Sequence, residues 1–421
     1  MFFNNHNHTE YSNASCGFPD VINRVPDLIQ KAYDLGLEGI AITEHECLSS
    51  HIQALKYYNN MSKERPFTLA LGNEIYLLNE QEDIDNRNNN GKTPYYHFIL
   101  TALDDIGHKQ LRELSDRAWR RAYKQFVYRR PTYYTDLEEI IKSNQGHVIA
   151  STACLGSRID NLILQYGKPE DCYDEINRLV NIFGKDNLYL EIQPSKNPDT
   201  DQGLVNRLMW IVHEDTKLPI IPTTDSHYLC KEDAEIHRVY LNSQEGEREV
   251  DDFYATAYLM NEEELRNYLK HDFSDNQINQ MLEWSCELGR RIKGYNLFHK
   301  PIIPQIPKQY IPNFTIKHTF SKYYNKYPSF KFYSSIERPF NERYFFYQIE
   351  TALEDKIVTN KNKSNLLETY IARLDEEWKE LKIISEELNT SKRFSLALTL
   401  FDLNGIIINI IAIKIATIPI N

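Results

Sequence analysis

The chain has 421 residues, 41% hydrophobic and 26% charged, which excludes collagen-like, mucin-like and wholly disordered classes and leaves ample material for a core. Its formal charge is −12, distributed as −15 over residues 1–300 and +3 over residues 301–421. An acidic average repels phosphate at long range, so any nucleic-acid contact must come from a local patch or through bound metal ions.

The length predicts two or three domains, or one large barrel with a smaller appendage. Six scattered cysteines (Cys16, Cys47, Cys154, Cys172, Cys230 and Cys286) and the lack of a charged-then-apolar opening segment lead us to expect a reducing, cytoplasmic setting. The Ile-rich residues 406–420 are too short for a membrane span of roughly 20 residues, and Lys414 interrupts them.

Along the first 230 residues, seven short β-branched or aromatic runs alternate with helical periodicity, the pattern of repeated βα units. The first run, residues 2–8, closes on His6 and His8. A helix is predicted over residues 25–35, with Val25, Leu28, Ile29, Ala32 and Leu35 on one face. The run over 37–43 is followed by Glu44 and His45, the run over 67–77 contains Glu74, and the run over 96–103 contains His97.

Residues 117–130 then collect Arg117, Arg120, Arg121, Lys124, Arg129 and Arg130 without an acid, interleaved with Trp119, Tyr123, Phe126 and Tyr128. Cations can grip phosphates while aromatic faces stack on the bases of a single strand; an amphipathic helix with solvated arginines would read the same way. The runs over 146–152, 187–192 and 219–224 follow, with Cys154 after the first of these and Asp225 and His227 after the last. No Gly-rich turn follows the first strand, so parallel strands in an α/β barrel are favoured over a doubly wound sheet.

Residues 261–291 read as helical, with Asn261 as cap of a helix opening Glu262-Glu263-Glu264. Pro301, Pro304, Pro307 and Pro312 stiffen a linker over 301–312 and close the first domain near residue 300. Residues 313–364, rich in Tyr, Phe, Asn, Lys and Ser, show no clear period. Helical periodicity returns over 365–393, with Leu374, Trp378, Leu381, Ile384 and Leu388 on one face, before an apolar tail over 394–421.

Most of the ligand-type side chains fall at or just past the C-terminal ends of predicted strands, the rim where barrels build active sites. His-x-His alone is equally the pattern of two surface histidines on one strand face. Imidazole, carboxylate and thiolate recurring at one register of successive units predict a metal cage. Mixed N, O and S donors suit Zn²⁺, Mn²⁺ or iron, and the number of donors suits two or three ions sharing carboxylates. Such ions polarise a phosphate, generate hydroxide near neutral pH and steady the leaving oxygen.

The motifs Phe3-Asn4-Asn5-His6-Asn7-His8-Thr9-Glu10-Tyr11-Ser12, Gly39-Ile40-Ala41-Ile42-Thr43-Glu44-His45, Leu71-Gly72-Asn73-Glu74, Tyr96-His97-Phe98-Ile99-Leu100 and Thr224-Asp225-Ser226-His227-Tyr228-Leu229 resemble those of the PHP (polymerase and histidinol phosphatase) domain. The version most similar is the one that opens the alpha subunit of bacterial-type, C-family DNA polymerase III. The resemblance covers roughly residues 1–300 and implies a distorted seven-stranded (βα) TIM-like barrel with a trinuclear metal site. It also implies metal-dependent phosphoesterase activity of the 3′ to 5′ exonucleolytic, proofreading kind.

Position by position, the resemblance assigns metal ligation to His6, His8, His45, Glu74, His97, Cys154, Asp225 and His227, with Asp20 as the acidic residue after the first motif. It assigns catalytic roles to Glu44, where the family usually has Asp, and to Asp225 and His227. A DNA 3′ end, a polymerase catalytic portion and other replication proteins are the implied partners, with no membrane.

Within the smaller helical part over 313–393, residues 370–378 resemble the helix leading into the polymerase module. The family's Gly-Arg-Gly-Ser loop and acidic palm motif are missing, so a truncated or split polymerase product is expected. A non-catalytic scaffold for a polymerase made by another chain and a freestanding PHP phosphatase are the alternatives.

Overall fold

The computed structural model describes residues 1–17, 19–88, 95–125, 130–243, 252–299, 311–338, 340–359 and 366–387. The chain divides into two compact units, Met1–Leu297 and Phe298–Asn421.

All seven predicted runs of the first unit form strands: β1 (Phe3–Asn4), β2 (Gly39–His45), β3 (Thr68–Leu78), β4 (Tyr96–Ala102), β6 (Val148–Ser151), β7 (Leu188–Ile192) and β8 (Ile220–Pro222), with an unforeseen short β5 (Pro131–Tyr133) between the fourth and fifth. The strands pair in the order β1-β2-β3-β4-β6-β7-β8, and β5 lies off this path against β3. A parallel bridge between Asn7 and Ser226, just past β1 and β8, brings the two edges together, so the sheet is a nearly closed, barrel-like one.

The expectation of parallel strands throughout is corrected at one place, where β4 runs antiparallel to both β3 and β6. Alternating apolar and polar residues do not encode strand direction, so the sequence could not give it.

Helices flank the strands. The predicted helix 25–35 is found as Val25–Asp34 with Val25, Leu28, Ile29 and Ala32 buried, as its spacing required. Asn261 caps the helix Glu262–Leu269 through a reciprocal capping box with Glu264. The five cysteines whose side chains are described, Cys47, Cys154, Cys172, Cys230 and Cys286, are free thiols.

The second unit is helical: Pro328–Ser334, Phe340–Thr359 and Leu367–Glu387. Residues 340–359 escaped the sequence reading because Phe340, Tyr344, Phe345, Phe346 and Tyr347 spread aromatics around the helix and hide the period. Trp378 and Leu374 are buried as expected, and Trp378 stacks on Phe330 at 5.5 Å. The side chains of Leu381, Ile384 and Leu388, most of the proline-rich linker and the apolar tail lie outside the described residues. Among the described residues no helix is long and apolar enough to cross a membrane.

Candidate metal centre

His6 and His8 extend past β1, and as alternate residues they share one face. Asn7 points the other way and holds the barrel shut. Its side chain donates to the carbonyls of Asn4 and Ala41 at 2.9 Å and accepts the Ser226 hydroxyl at 2.6 Å, while its backbone N–H donates to Thr43 Oγ1. His45 ends β2 directly opposite Glu74 in β3, and His97 in β4 faces Tyr76 of β3. Strand register thus delivers three of the candidate groups to one mouth.

Three overlapping groups form there: His6, His8 and Asp225; His8, His45 and His227; and His45, Glu74 and His97. Within each, one donor atom per residue lies within 4.8 Å of the others. His8 and His45 are each shared by two groups. Asp20 adjoins the second, its Oδ2 lying 3.1 Å from His45 Nε2 and 3.6 Å from His227 Nε2.

Hydrogen bonds outside the cluster set the tautomers. The Nδ1 of His6 donates to Glu191 at 2.6 Å, and that of His227 to the Asp225 carbonyl at 2.7 Å. Ser12 spends its hydroxyl proton on Glu44, so towards His8 Nδ1, 3.1 Å away, it accepts. As a neutral ring, each of these imidazoles therefore turns its Nε2 lone pair inward, the arrangement of a ligating histidine.

The lone pairs meet carboxylate oxygens. Glu74 Oε2 lies 3.0 Å from His8 Nε2 and 2.9 Å from His45 Nδ1, and Asp225 Oδ1 lies 3.1 Å from His8 Nε2. Both Glu74 oxygens and Asp225 Oδ1 are buried without a hydrogen-bond partner. Buried acceptors gathered around one point are costly unless a cation sits among them, so the residues fit divalent ions. Burial alone pushes the Glu74 carboxyl up, but the imidazoles of His97, His45 and His6 hold it well below the usual range. Against the same penalty, His227 and His45 hold Asp20 down.

Backbone strain gathers at the same rim. Glu46 after His45, Ala153 before Cys154, and Asp225 itself have φ of 52°, 62° and 43°, a region that side chains other than glycine avoid. Gly156 supports His97 closely: a Cβ there would sit 3.0 Å from the ring, and its carbonyl accepts the His97 backbone N–H.

Two expected members sit differently. Cys154 lies 3.5 Å from His97 Nδ1, beside the third group, with its thiol pushed up by burial and by Asp225 and Glu74. Glu44 is buried beside the cluster, but its oxygens accept the Thr9 backbone N–H and the hydroxyls of Thr9 and Ser12. Its carboxylate is engaged at the start of the helix Glu10–Cys16 and meets His8 through Ser12.

The described arginines of the basic stretch 117–130 all meet carboxylates. Arg120 pairs with Asp116, Arg117 with Glu113, Asp136 and Glu139, Arg121 with Asp136, and Arg130 with Glu46. The acids come from one turn earlier on the helix Asp105–Gln125, from the following helix and from the rim, all outside the window that looked purely basic. Arg121 stacks on Tyr133 at 3.8 Å and Arg130 on Trp119 at 4.0 Å. The side chains of Tyr123 and Lys124, and residues Phe126, Tyr128 and Arg129, lie outside the described residues.

Sequence reasoning missed Glu191 and Tyr254. Glu191 accepts from His6, from the Ser151 and Thr223 hydroxyls at 2.6 Å each and, at 3.4 Å, from Gln193. Its signal was present, a lone carboxylate inside the apolar strand Leu188–Ile192. Tyr254, whose hydroxyl donates to Asp20 at 2.8 Å, follows a stretch without any pattern.

Residues 4–195 match the PHP domain family. The chain is 34% identical over 405 residues to the DNA-directed DNA polymerase of Bacillus phage SPbeta, covering 92% of this chain and 30% of that protein. It is 27% identical over 317 residues to the DNA polymerase III subunit alpha of Borreliella burgdorferi, covering 73% of this chain and 25% of that one. The chain thus spans less than a third of the length of these relatives. A solved structure from Bifidobacterium adolescentis, described as a metal-dependent phosphoesterase, overlaps 65% of this chain and 97% of its own at 14% identity and a TM-score of 0.33.

Proposed function

Because residues 4–195 are a PHP domain, we propose that this chain is the N-terminal portion of a replicative DNA polymerase, and that its barrel hydrolyses phosphodiesters at the 3′ end of DNA with two or three bound divalent ions of zinc, manganese or iron. The observation that carries the reading is the set of imidazole nitrogens gathered around the buried oxygens of Glu74 and Asp225.

His6, His8, His45, His97, His227, Glu74, Asp225 and Asp20 would hold the ions, with Cys154 at the margin of the third group. Ions held there would supply Lewis acidity, polarising a phosphoryl oxygen and bringing water's ionisation toward neutral pH. The chain's own residues fix the donors: Glu191 orients His6, Ser12 and Glu44 orient His8, and Tyr254 orients Asp20. Nucleotide transfer needs carboxylates that would lie in the remainder of the longer relatives. A strand end would reach the ions at the mouth of the barrel, and Arg117, Arg120, Arg121 and Arg130 would contact DNA by exchanging their carboxylate partners for phosphates.

The test is hydrolysis of a single-stranded oligonucleotide by the purified chain with Mn²⁺ or Zn²⁺. Release of nucleotides that is lost in His8→Ala and Asp225→Asn supports the reading. Unchanged release in both variants assigns the nuclease to a contaminant. No hydrolysis with any metal, together with tight binding of a polymerase portion, leaves a scaffold, and faster cleavage of a generic phosphomonoester than of the oligonucleotide leaves a phosphatase.

A further inference from the structure

Glu46 follows His45 with a φ of 52°, a left-handed backbone that a glutamate adopts only where its surroundings hold it there. It is 3% exposed, yet it belongs to none of the three donor groups. Its burial and its strain call for another role.

The contacts of Glu46 point to one. Its N–H donates to the Glu74 carbonyl at 2.8 Å, so this residue ties together two donors of the third group, His45 and Glu74. Its own carbonyl accepts the Trp119 indole N–H at 2.8 Å, and its Oε1 accepts the Arg130 backbone N–H at 2.8 Å. The Arg130 guanidinium lies 3.7 Å from Oε2 and stacks on the Trp119 ring at 4.0 Å, which closes a ring of contacts among the three residues.

Both partners stand on anchored elements. Trp119 projects from the helix Asp105–Gln125, and Arg130 directly precedes β5, which pairs with β3 just beyond Glu74. Arg121, on the same helix, donates to the Pro131 carbonyl at 2.6 Å and to Asp136 at 2.9 Å, tying helix to strand. Without this hold, a φ of 52° relaxes toward the favoured negative region, and that rotation moves His45 relative to Glu74.

We propose that Trp119 and Arg130 are positioning residues of the metal centre, acting through Glu46 to keep His45 against Glu74 and so to set the affinity of the third group for its ion. The proposal rests on the reading that the cluster holds divalent ions, and it names residues outside the donor set that tune it. Arg130 keeps its backbone hold on Glu46 even where its guanidinium turns to a phosphate.

Equilibrium dialysis of the full chain against Mn²⁺ tests it. Trp119→Phe keeps a ring for Arg130 to stack on and removes the donor to Glu46; at a position 40% exposed, the fold tolerates it. It is expected to weaken the binding of at least one manganese ion about tenfold, with Arg130→Ala acting in the same direction. The circular dichroism spectra of both variants should match the wild type.

The same Trp119→Phe change is then made in a Glu46→Gly chain. Glycine takes a positive φ without steric cost, so the turn no longer needs its clamp, and the change is expected to alter affinity by less than about twofold in that background. An equal loss in both backgrounds overturns the proposal, as does unchanged affinity in both Trp119→Phe and Arg130→Ala. Manganese affinities that follow the expected pattern, in a chain that hydrolyses no DNA, would sink the hydrolytic reading and keep the clamp. Hydrolysis of DNA with manganese affinity unaltered in both variants would do the reverse.

Discussion

The Nε2 atoms of His6 and His8 face each other at 3.0 Å, each ring having its Nδ1 engaged elsewhere, by Glu191 and Ser12 respectively. Two lone pairs at that distance, with Asp225 Oδ1 3.2 and 3.1 Å from them, repel one another unless a cation stands between.

Metal should therefore stabilise the first unit strongly. Chelation is expected to lower its melting temperature, and Mn²⁺ or Zn²⁺ at about 100 times the dissociation constant to restore about 2.7 kcal/mol. Differential scanning calorimetry with and without chelator checks this. An unchanged melting temperature, with no metal found by elemental analysis, would count against ions in the cluster.

Glu191 accepts from every described neighbour that its oxygens meet, so its value lies in fixing the His6 ring. Glu191→Gln places an amide N–H₂ among donors, and metal affinity is expected to fall on the order of 10- to 100-fold, the usual cost of losing such a partner. Equilibrium dialysis measures the affinity directly, and a circular dichroism spectrum matching the wild type would separate positioning from misfolding.

His51 and His108 form a second, separate histidine pair. His51 Nε2 donates to the Gly72 carbonyl at 2.9 Å and its Nδ1 faces His108 Nε2 at 3.0 Å. Burial, with His108 nearby, depresses His51 to about 3; burial, with Arg112 nearby, depresses His108 to about 4. A histidine with an unfolded value near 6.5 then takes up protons in the unfolded chain first. Stability is full above about pH 6.5 and falls as pH drops toward the folded values.

At pH 5 the penalty from His51 alone is about 2 kcal/mol. Urea unfolding at pH 7.5 and pH 5 should show a smaller loss for His51→Gln, which keeps a donor for Gly72, than for the wild type. Equal losses would refute the account.

Asn261 and Glu264 satisfy each other's backbone donors at the start of the helix Glu262–Leu269. Asn261→Ala should cost about 1 kcal/mol in chemical denaturation. Metal content should not change, because neither Asn261 nor Glu264 is among the cluster's donors.

Much of this protein was legible because its chemistry is written in short local patterns. The seven strands announce themselves by β-branched runs, and His6 with His8, Glu44 with His45, and Asp225 with His227 mark strand ends. Asn261 and the face of the helix Val25–Asp34 follow from spacing alone. Glu191 could have been read as a charge stranded in an apolar strand, whereas Tyr254 carried no signal, since its role arises only from what lies across from it.

By itself, then, the sequence determined the elements, the rim and the donor types, because these depend on neighbours a few residues apart. Tertiary structure decided the direction of β4, the pairing of Arg117, Arg120, Arg121 and Arg130 with distant or earlier acids, and the turning of Glu44 toward Thr9 and Ser12. It also decided which nitrogen of each histidine points inward. Those outcomes hang on hydrogen bonds and charges between residues far apart in the chain, and an interaction of that kind has no period along the sequence to betray it.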